Sequence, residues 1–118
     1  MKKENIIKVK SYAFALKTLN VCRNLQNTEK EYILTKQLIR SAASVGSNVE
    51  EGTQAQSNSD FIHKFSIALK DTVESHYWIR LLKDSEIMKP ELADDLLNDC
   101  TEIKRIMTAI IKTSKSKR

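Results

Sequence analysis

The chain has 118 residues, a formal net charge of +5 and only two glycines and one proline. This length supports one core, so residues 1–118 are predicted to form a single domain. So few glycines and prolines exclude folds with many tight turns and favour helices, while the basic charge suits either an anionic partner or an ordinary solvated surface.

The first two predicted helices cover residues 5–26 and 29–51. In the first, apolar side chains recur at helical spacing at Tyr12, Leu16, Leu19 and either Cys22 or Leu25. Thr28 and Glu31 are spaced as in a capping box, which would start the second helix. Gly52 is expected to end that helix in the left-handed conformation that glycine adopts easily.

Two further helices are predicted over residues 60–83 and 90–112. Ser57 is spaced to cap the first of them, and Pro90 suits the first turn of the second, where no amide hydrogen is needed. The basic tail at 113–118 is expected to fray. Short connections between the four helices predict an all-α fold, an antiparallel up-down-up-down four-helix bundle.

A polar stripe on the second helix consists of Gln37, Ser41, Ser44 and Asn48. It is either a solvated face or a hydrogen-bonding seam between helices or subunits. Gly46 favours the seam, because glycine inside an exposed helix costs about 1 kcal/mol relative to alanine. Reflecting the second and third helices about their loop places Arg40 near Glu74, so we hypothesise a buried ion pair that fixes their register.

Basic residues gather at one end of the predicted bundle, where the first helix starts and the fourth ends. They are the candidate nucleic-acid-binding residues Lys2, Lys3, Lys8, Lys10, Lys112, Lys115, Lys117 and Arg118. Glu50 and Glu51 lie at the same end and are disfavoured by the helix dipole, so we expect them to neutralise part of the cluster. The alternative is that these termini are simply solvated.

The apolar surface of the third and fourth helices is wider than one core stripe requires. The residues in excess are Tyr77, Trp78, Leu81, Met107 and Ile111. Because large exposed apolar patches usually mark interfaces, we predict self-association through these side chains. A thicker core within a monomer is the alternative.

No motif in the chain predicts catalysis or a cofactor. Asp60 and His63 are spaced like a metal pair, but a di-iron bundle needs two Glu-x-x-His motifs and two more glutamates. The spacings of zinc sites, phosphate loops and nucleophile elbows are also missing. We therefore predict a protein that is not an enzyme and that binds no metal.

The sequence also predicts where the protein works. The N-terminus lacks the apolar run of a signal peptide, and no segment approaches the ~20 apolar residues of a membrane span. We therefore expect a cytoplasmic protein with no membrane partner. Cys22 and Cys100 should stay reduced there as small core hydrophobes, unless the first and fourth helices align them for a disulfide.

The run from Gln37 to Gly52 closely resembles the signature of the four-helix bundle proteins related to the 23S rRNA intervening-sequence protein. The run from Asp60 to Leu82 looks like the third helix of that family. By position, the family's signature residues would be Arg40, Ser44, Asn48, Glu51, Gly52, Asp60, Phe61 and Glu74. None of them has a catalytic role to carry over.

The resemblance implies a bacterial cytoplasmic protein that forms a ring-shaped homopentamer. Some members are encoded within insertions in 23S ribosomal RNA genes, and a similar bundle in diversity-generating retroelements associates with nucleic acid and a reverse transcriptase. Our leading hypothesis is a homo-oligomer that binds nucleic acid, RNA or DNA, through its basic surface. The alternative is a protein–protein adaptor with no nucleic-acid role.

Overall fold

In the computed structural model, which describes residues 2–117, the chain folds into helices throughout. They are α1 (Lys3–Thr28), α2 (Ile33–Thr53), α3 (Asn58–Asp84) and α4 (Pro90–Ser116). The predicted all-α class is confirmed. The bounds differ from the predicted ones mainly at the start of α2, which lies later, and at the end of α4, which extends further.

The corner between α1 and α2 is not built by the predicted capping box. Thr28 lies inside α1, where its hydroxyl donates a hydrogen bond to the carbonyl of Asn24 at 3.0 Å. Glu31 caps α2 instead, because its two carboxylate oxygens accept hydrogen bonds from the amides of Leu34 and Thr35, both at 2.9 Å. One carboxylate thereby satisfies two amides that a helix start leaves without partners.

Gly52 does not end α2 in a left-handed conformation. No glycine within residues 2–117 has a positive φ, and α2 continues to Thr53. The Phe65 ring of α3 packs where a β-carbon of residue 52 would stand. Glycine is therefore required here for space, and not for its backbone freedom.

The starts of α3 and α4 follow the sequence prediction, but the end of α4 does not. The Ser57 hydroxyl accepts a hydrogen bond from the amide three residues on, at 3.1 Å, and Pro90 lies in the first turn of α4. The tail at 113–118 was expected to fray, yet α4 extends into it and Ser114 is buried. Asn58 Nδ2 donates to the Ser114 carbonyl at 2.9 Å and holds this last turn against α3.

Side-chain contacts show that neighbouring helices are antiparallel. Opposite ends pair in α1–α2 (Lys8 with Glu50, Gln26 with Thr35), α2–α3 (Arg40 with Glu74, Glu51 with Lys64), α3–α4 (Asn58 with Ser114, Lys83 with Asp94) and α1–α4 (Lys10 with Glu102, Lys17 with Asp95). Within the described residues α1 packs on α2 and α4, and α3 lies diagonally across from it. The result is an up-down-up-down bundle of 48 × 22 × 20 Å.

The core face of α1 differs from the predicted apolar stripe. Its buried residues are Ile7, Ser11, Phe14, Thr18, Cys22 and Leu25. Tyr12 and Leu16, which the stripe placed inside, are 65% and 48% exposed. The prediction is wrong for these two because Ser11 and Thr18 occupy core positions, so hydrophobicity alone points to the opposite face of the helix.

Cys22 and Cys100 are both buried with free thiols. Desolvation by burial is the main cause that raises the pKa of each thiol to about 12. A thiol that cannot ionise near neutral pH is a poor nucleophile and metal ligand, so both cysteines serve as core hydrophobes.

Candidate nucleic-acid interface

Exposed lysines crowd the end of the bundle where α1 starts and α4 ends. Lys3 and Lys117 border the same shallow cleft there. Together with Lys2, Lys112 and Lys115 they form a set that we call the basic end. Within residues 2–117 none of these five side chains takes part in an ion pair. Arg118, also predicted to belong to this set, lies outside the described residues.

Lys8 and Lys10 lie nearby but are already matched by acids. Lys8 Nζ is 3.6 Å from a carboxylate oxygen of Glu50, and Lys10 Nζ is 3.0 Å from one of Glu102. The expected partner for Glu51 is also different, since Lys64 of α3 reaches it at 2.8 Å and not a lysine of the termini. The hydrogen bond from Lys64 to this carboxylate raises the pKa of the lysine.

The charged residues of α4 are distributed unevenly between its two sides. The side against α1 presents Asp95, Asp99 and Glu102. Lys17 of α1 lies 2.7 Å from both aspartates; burial alone would lower its pKa, but the hydrogen bonds to the two carboxylates outweigh burial and raise it. The side against α3 carries Asp94, which pairs with Lys83, near its start, and further on Lys104, Lys112 and Lys115, which line two grooves without an Asp or Glu. Three lysines of α4 therefore lie on its α3 side with no acid in the same grooves.

A groove of about 180 Å³ separates α3 from α4 near the middle of the bundle. Its walls are formed by Thr72, Val73, His76, Arg80, Cys100, Thr101 and Lys104. Arg80 Nε donates to His76 Nδ1 at 3.1 Å, so the imidazole proton resides on Nε2. Partial burial, and then the charges of Arg80 and Lys104, lower the pKa of His76. No Asp or Glu lines this groove.

A second groove of about 280 Å³ lies between the same two helices, nearer the basic end. It is lined by Leu69, Thr108, Ile111, Lys112 and Lys115. Arg80 and Lys104 also belong to this basic side, although neither is among the predicted basic residues. The signal was present, because Lys104, Thr108, Lys112 and Lys115 recur at steps of four, four and three, which places them on one side of a helix.

The signature residues of α2 form a polar seam against α3. Arg40 pairs with Glu74, as hypothesised, and Glu74 also accepts a hydrogen bond from Trp78 Nε1 at 2.9 Å. Arg40 is 54% exposed, so this pair lies at the surface and is not buried as expected. The seam reading of the polar stripe is confirmed: Ser41 Oγ lies 2.8 Å from Ser75 Oγ inside the bundle.

Further signature residues support the same packing. Ser44 Oγ donates to a carboxylate oxygen of Asp71 at 2.5 Å, and Asn48 Nδ2 donates back to Ser44. Phe61 stacks on Phe65 with ring centroids 4.4 Å apart. Gly46 does not face this seam, since a β-carbon there would meet α1 at ordinary van der Waals distance. Of these contacts, the hydrogen bond between Ser44 and Asp71 joins α2 to α3, while those of Asn48 and Phe61 order side chains within one helix.

The predicted oligomer interface is only partly on the surface. Tyr77 and Leu81 are 49% and 37% exposed, and Trp78 is half-buried. Met107 and Ile111 belong to the core of the protomer, so their assignment to an interface is wrong. The reason is that α4 contacts both α1 and α3, which gives it a buried arc wider than one stripe.

Apart from Tyr32, Ile33 and Leu92, the large exposed apolar side chains of residues 2–117 form two stripes. One is on α1 and consists of Val9, Tyr12 and Leu16, which we call the α1 stripe. The other is on α3 and consists of Val73, Tyr77 and Leu81, which we call the α3 stripe. Both recur at steps of three or four residues, so each follows one side of its helix.

The described part of the chain shows no metal cluster and no membrane segment. Within residues 2–117, no group of three or more His, Cys, Asp or Glu side chains is placed to hold a metal ion. None of the four helices is both long enough and apolar enough to cross a membrane. Asp60 and His63, the one metal-like pair in the sequence, therefore lack further ligands among these residues.

Comparison with known proteins places this bundle in a family. A crystal structure of a protein of unknown function of the S23 ribosomal protein family, from Bacteroides thetaiotaomicron VPI-5482, matches with a TM-score of 0.92 and 42% sequence identity, over 94% of this chain and 99% of that chain. No curated protein matches the chain. The family model of the 23S rRNA-intervening sequence protein matches residues 3–109, which include the whole polar seam. The chain therefore belongs to the 23S rRNA-intervening sequence protein family.

Proposed function

We propose that this chain is a non-enzymatic cytoplasmic protein that forms a ring-shaped homopentamer and binds RNA through the basic end. The observation that carries the RNA part is the contrast between lysines. Those of the basic end are exposed and free of ion pairs within residues 2–117, whereas Lys8, Lys10 and Lys17 are matched by acids. Lysines without an internal partner can neutralise the phosphates of a nucleic acid, and the counterions that the nucleic acid then releases favour binding.

The chemistry of the basic end favours the phosphate backbone over the bases. Lysine ammonium groups contact phosphates as point charges and carry little sequence information. A ring would bring several copies of the basic end together and raise the local positive potential. Binding is therefore expected to depend steeply on salt and weakly on sequence.

The RNA proposal is tested by fluorescence anisotropy with a labelled RNA hairpin across a salt series. The test variant carries Lys115→Glu and Lys117→Glu, and the matched control carries Lys36→Glu and Lys89→Glu near the opposite end. The logarithm of the binding constant falls linearly with the logarithm of the salt concentration, and we call the magnitude of this slope the salt slope. Each lost phosphate contact lowers the salt slope by about one, so it should fall by about two in the test variant and hardly at all in the control. Equal losses in both variants, or binding independent of salt, would contradict the proposal.

The ring part of the proposal rests on the α1 and α3 stripes. The two stripes lie on diagonally opposite helices and face different directions. A single interface between two copies can therefore cover only one stripe of each copy. A contact that joins the α1 stripe of one copy to the α3 stripe of the next is heterologous, and such contacts form a ring when the rotation between copies closes. Five copies is the number that the family resemblance implies.

Light scattering coupled to size-exclusion chromatography tests the assembly directly. The expected mass is five times the 13.5 kDa of one chain. Absorbance at 260 nm in the same run reveals nucleic acid that copurifies. A species of 13.5 kDa that persists at high protein concentration would contradict the ring.

A protein–protein adaptor remains the second candidate, and the α3 stripe favours it. Tyr77 and Leu81 follow one side of α3, and Ile33 of α2, which is 78% exposed, lies close to them in the antiparallel register set by Arg40 and Glu74. Such a patch suits an apolar helix of another protein. A pull-down tests this function. It would be favoured if the chain binds no RNA and captures one defined protein, and if nuclease treatment does not abolish that capture.

A further inference from the structure

Three side chains that line the groove between α3 and α4 carry nitrogen donors. They are His76, whose proton is on Nε2, Arg80, whose guanidinium has donors beyond its Nε, and Lys104. Arg80 is held in place from two sides, because its Nε donates to His76 and its guanidinium lies 5.8 Å from the centre of the Tyr77 ring. The groove therefore presents donors whose positions are partly fixed before any ligand arrives.

This cluster carries positive charge without an internal counterion. No Asp or Glu lines the groove, and within the described residues neither Arg80 nor Lys104 takes part in an ion pair. The hydroxyls of Thr72 and Thr101 already donate to carbonyls of their own helix, so they offer no competing donors. Val73 and Cys100 complete the walls with uncharged surface. Such a site repels cations and favours an anion with several acceptor oxygens.

We propose that His76, Arg80 and Lys104 bind one phosphate group of an RNA strand that also contacts the basic end. The proposal rests on the proposed function and gives it a specific site on the side of the bundle. A phosphate matches the site because it offers acceptor oxygens to all three donors at once. Without an anion, the positive charges of Arg80 and Lys104 stay unneutralised, and His76 only accepts the hydrogen bond from Arg80.

The second groove lies between the same two helices and includes Lys112 and Lys115 of the basic end. Lys104 and Lys115 lie on the same side of α4, and their separation along the helix axis is about 16 Å at 1.5 Å per residue. Lys112 and Leu69 line the path between them. That length accommodates more than one phosphate of a nucleic-acid strand, so one strand can reach both sites.

The phosphate site is tested by following the two histidines with NMR. Orthophosphate, uridine monophosphate and a short oligouridine are each titrated into the intact protein. The ring signals of His76 should shift with each probe and the pKa of His76 should rise, because a bound anion favours the imidazolium. His63, which is exposed on α3 and does not line the groove, serves as the internal control.

Variants separate this site from the basic end. Arg80→Gln and Lys104→Gln should each abolish the His76 response to orthophosphate and lower the salt slope of RNA binding by about one. Lys36→Gln removes the same charge on α2 and should change neither. Circular dichroism and thermal unfolding show that each variant is folded.

The outcomes distinguish the site from the wider proposal. A His76 response to orthophosphate and oligouridine supports the site. A response to orthophosphate alone would show that the groove binds free phosphate and not a phosphate group of an RNA strand. No His76 response to any probe overturns the site. RNA binding that needs Lys115 and Lys117 but ignores Arg80 and Lys104 overturns the site and leaves the basic end intact. If the protein binds no RNA at all, the proposed function fails, and the orthophosphate titration still reports on the groove.

Discussion

A β-carbon on Gly52 would lie 2.7 Å from Cε2 and 2.8 Å from Cδ2 of Phe65. Phe65 is fully buried and stacked on Phe61, so its ring has little freedom to retreat. Overpacking of this kind costs about 1–3 kcal/mol, which exceeds the gain of up to about 1 kcal/mol from alanine in a helix. We therefore expect Gly52→Ala to lower the free energy of unfolding by about 1–2 kcal/mol in urea titrations.

The other glycine of α2 provides the control for this prediction. A β-carbon on Gly46 would lie 3.5 Å from the Ser11 carbonyl oxygen and 3.8 Å from Ala15 Cβ, which are ordinary contacts. Gly46→Ala should therefore keep or raise the stability, by up to about 1 kcal/mol. If both substitutions change the stability in the same direction, the packing explanation for Gly52 is wrong.

Glu74 joins a surface ion pair to a half-buried hydrogen bond, and two substitutions separate them. Glu74→Gln keeps an acceptor for Trp78 Nε1 and loses only the attraction of Arg40, so it should cost under about 1 kcal/mol. Glu74→Ala also leaves the indole N–H without its partner and should cost about 1–3 kcal/mol. Unfolding followed by the fluorescence of Trp78, the single tryptophan, measures both. An alanine variant as stable as the glutamine variant would show that the indole bond contributes nothing.

How far the sequence predicted the fold depends on the helix. On α2, Leu38, Ala42, Val45 and Val49 recur at helical spacing and are buried, and reflecting α2 and α3 about their loop gave the Arg40–Glu74 register. On α1, polar Ser11 and Thr18 are buried while Tyr12 is exposed, so the periodicity indicated the wrong side. The Thr18 hydroxyl even lacks a hydrogen-bond partner among the described residues. No pattern of hydrophobicity could have placed it inside.

The candidate site was predictable in its composition but not in its shape. Topology alone brings the lysines of both termini to one end of the bundle. Which of them stay free depends on partners from other helices, such as Glu102 opposite Lys10, and a single sequence does not show such pairs. The groove that contains His76 and Arg80 depends in addition on how α3 and α4 pack, and spacing along one helix does not give that distance.

The buried thiols of Cys22 and Cys100 make the stability fall at high pH. Burial raises the pKa of each from 9.0 in the unfolded chain to about 12 in the folded protein. Between these values the unfolded chain has released protons that the folded protein still binds, so the stability is complete below about pH 9 and declines as the pH approaches about 12. Replacing both cysteines by alanine should flatten this decline, although it lowers the stability at neutral pH.

Reactivity toward a thiol reagent checks the same burial. In the native protein at neutral pH, Ellman's reagent should label neither cysteine at an appreciable rate, because the thiolate is the reactive form. In denaturant both should react at once. Rapid labelling of the native protein would mean that the helices open often enough to expose Cys22 or Cys100.

Mixing two interface variants tests whether the contact between copies is heterologous. Tyr12→Glu places a charge in the α1 stripe, and Tyr77→Glu places one in the α3 stripe. The two tyrosines are 65% and 49% exposed, so neither substitution should affect folding. If the α1 stripe of one copy meets the α3 stripe of the next, each variant alone should be a monomer, because each lacks one half of every contact. Mixed in equal amounts, they should form a dimer, since Tyr12→Glu retains an intact α3 stripe and Tyr77→Glu an intact α1 stripe. Contacts between like stripes give the opposite pattern: each variant would still dimerise through its unchanged stripe, and mixing would add no new species.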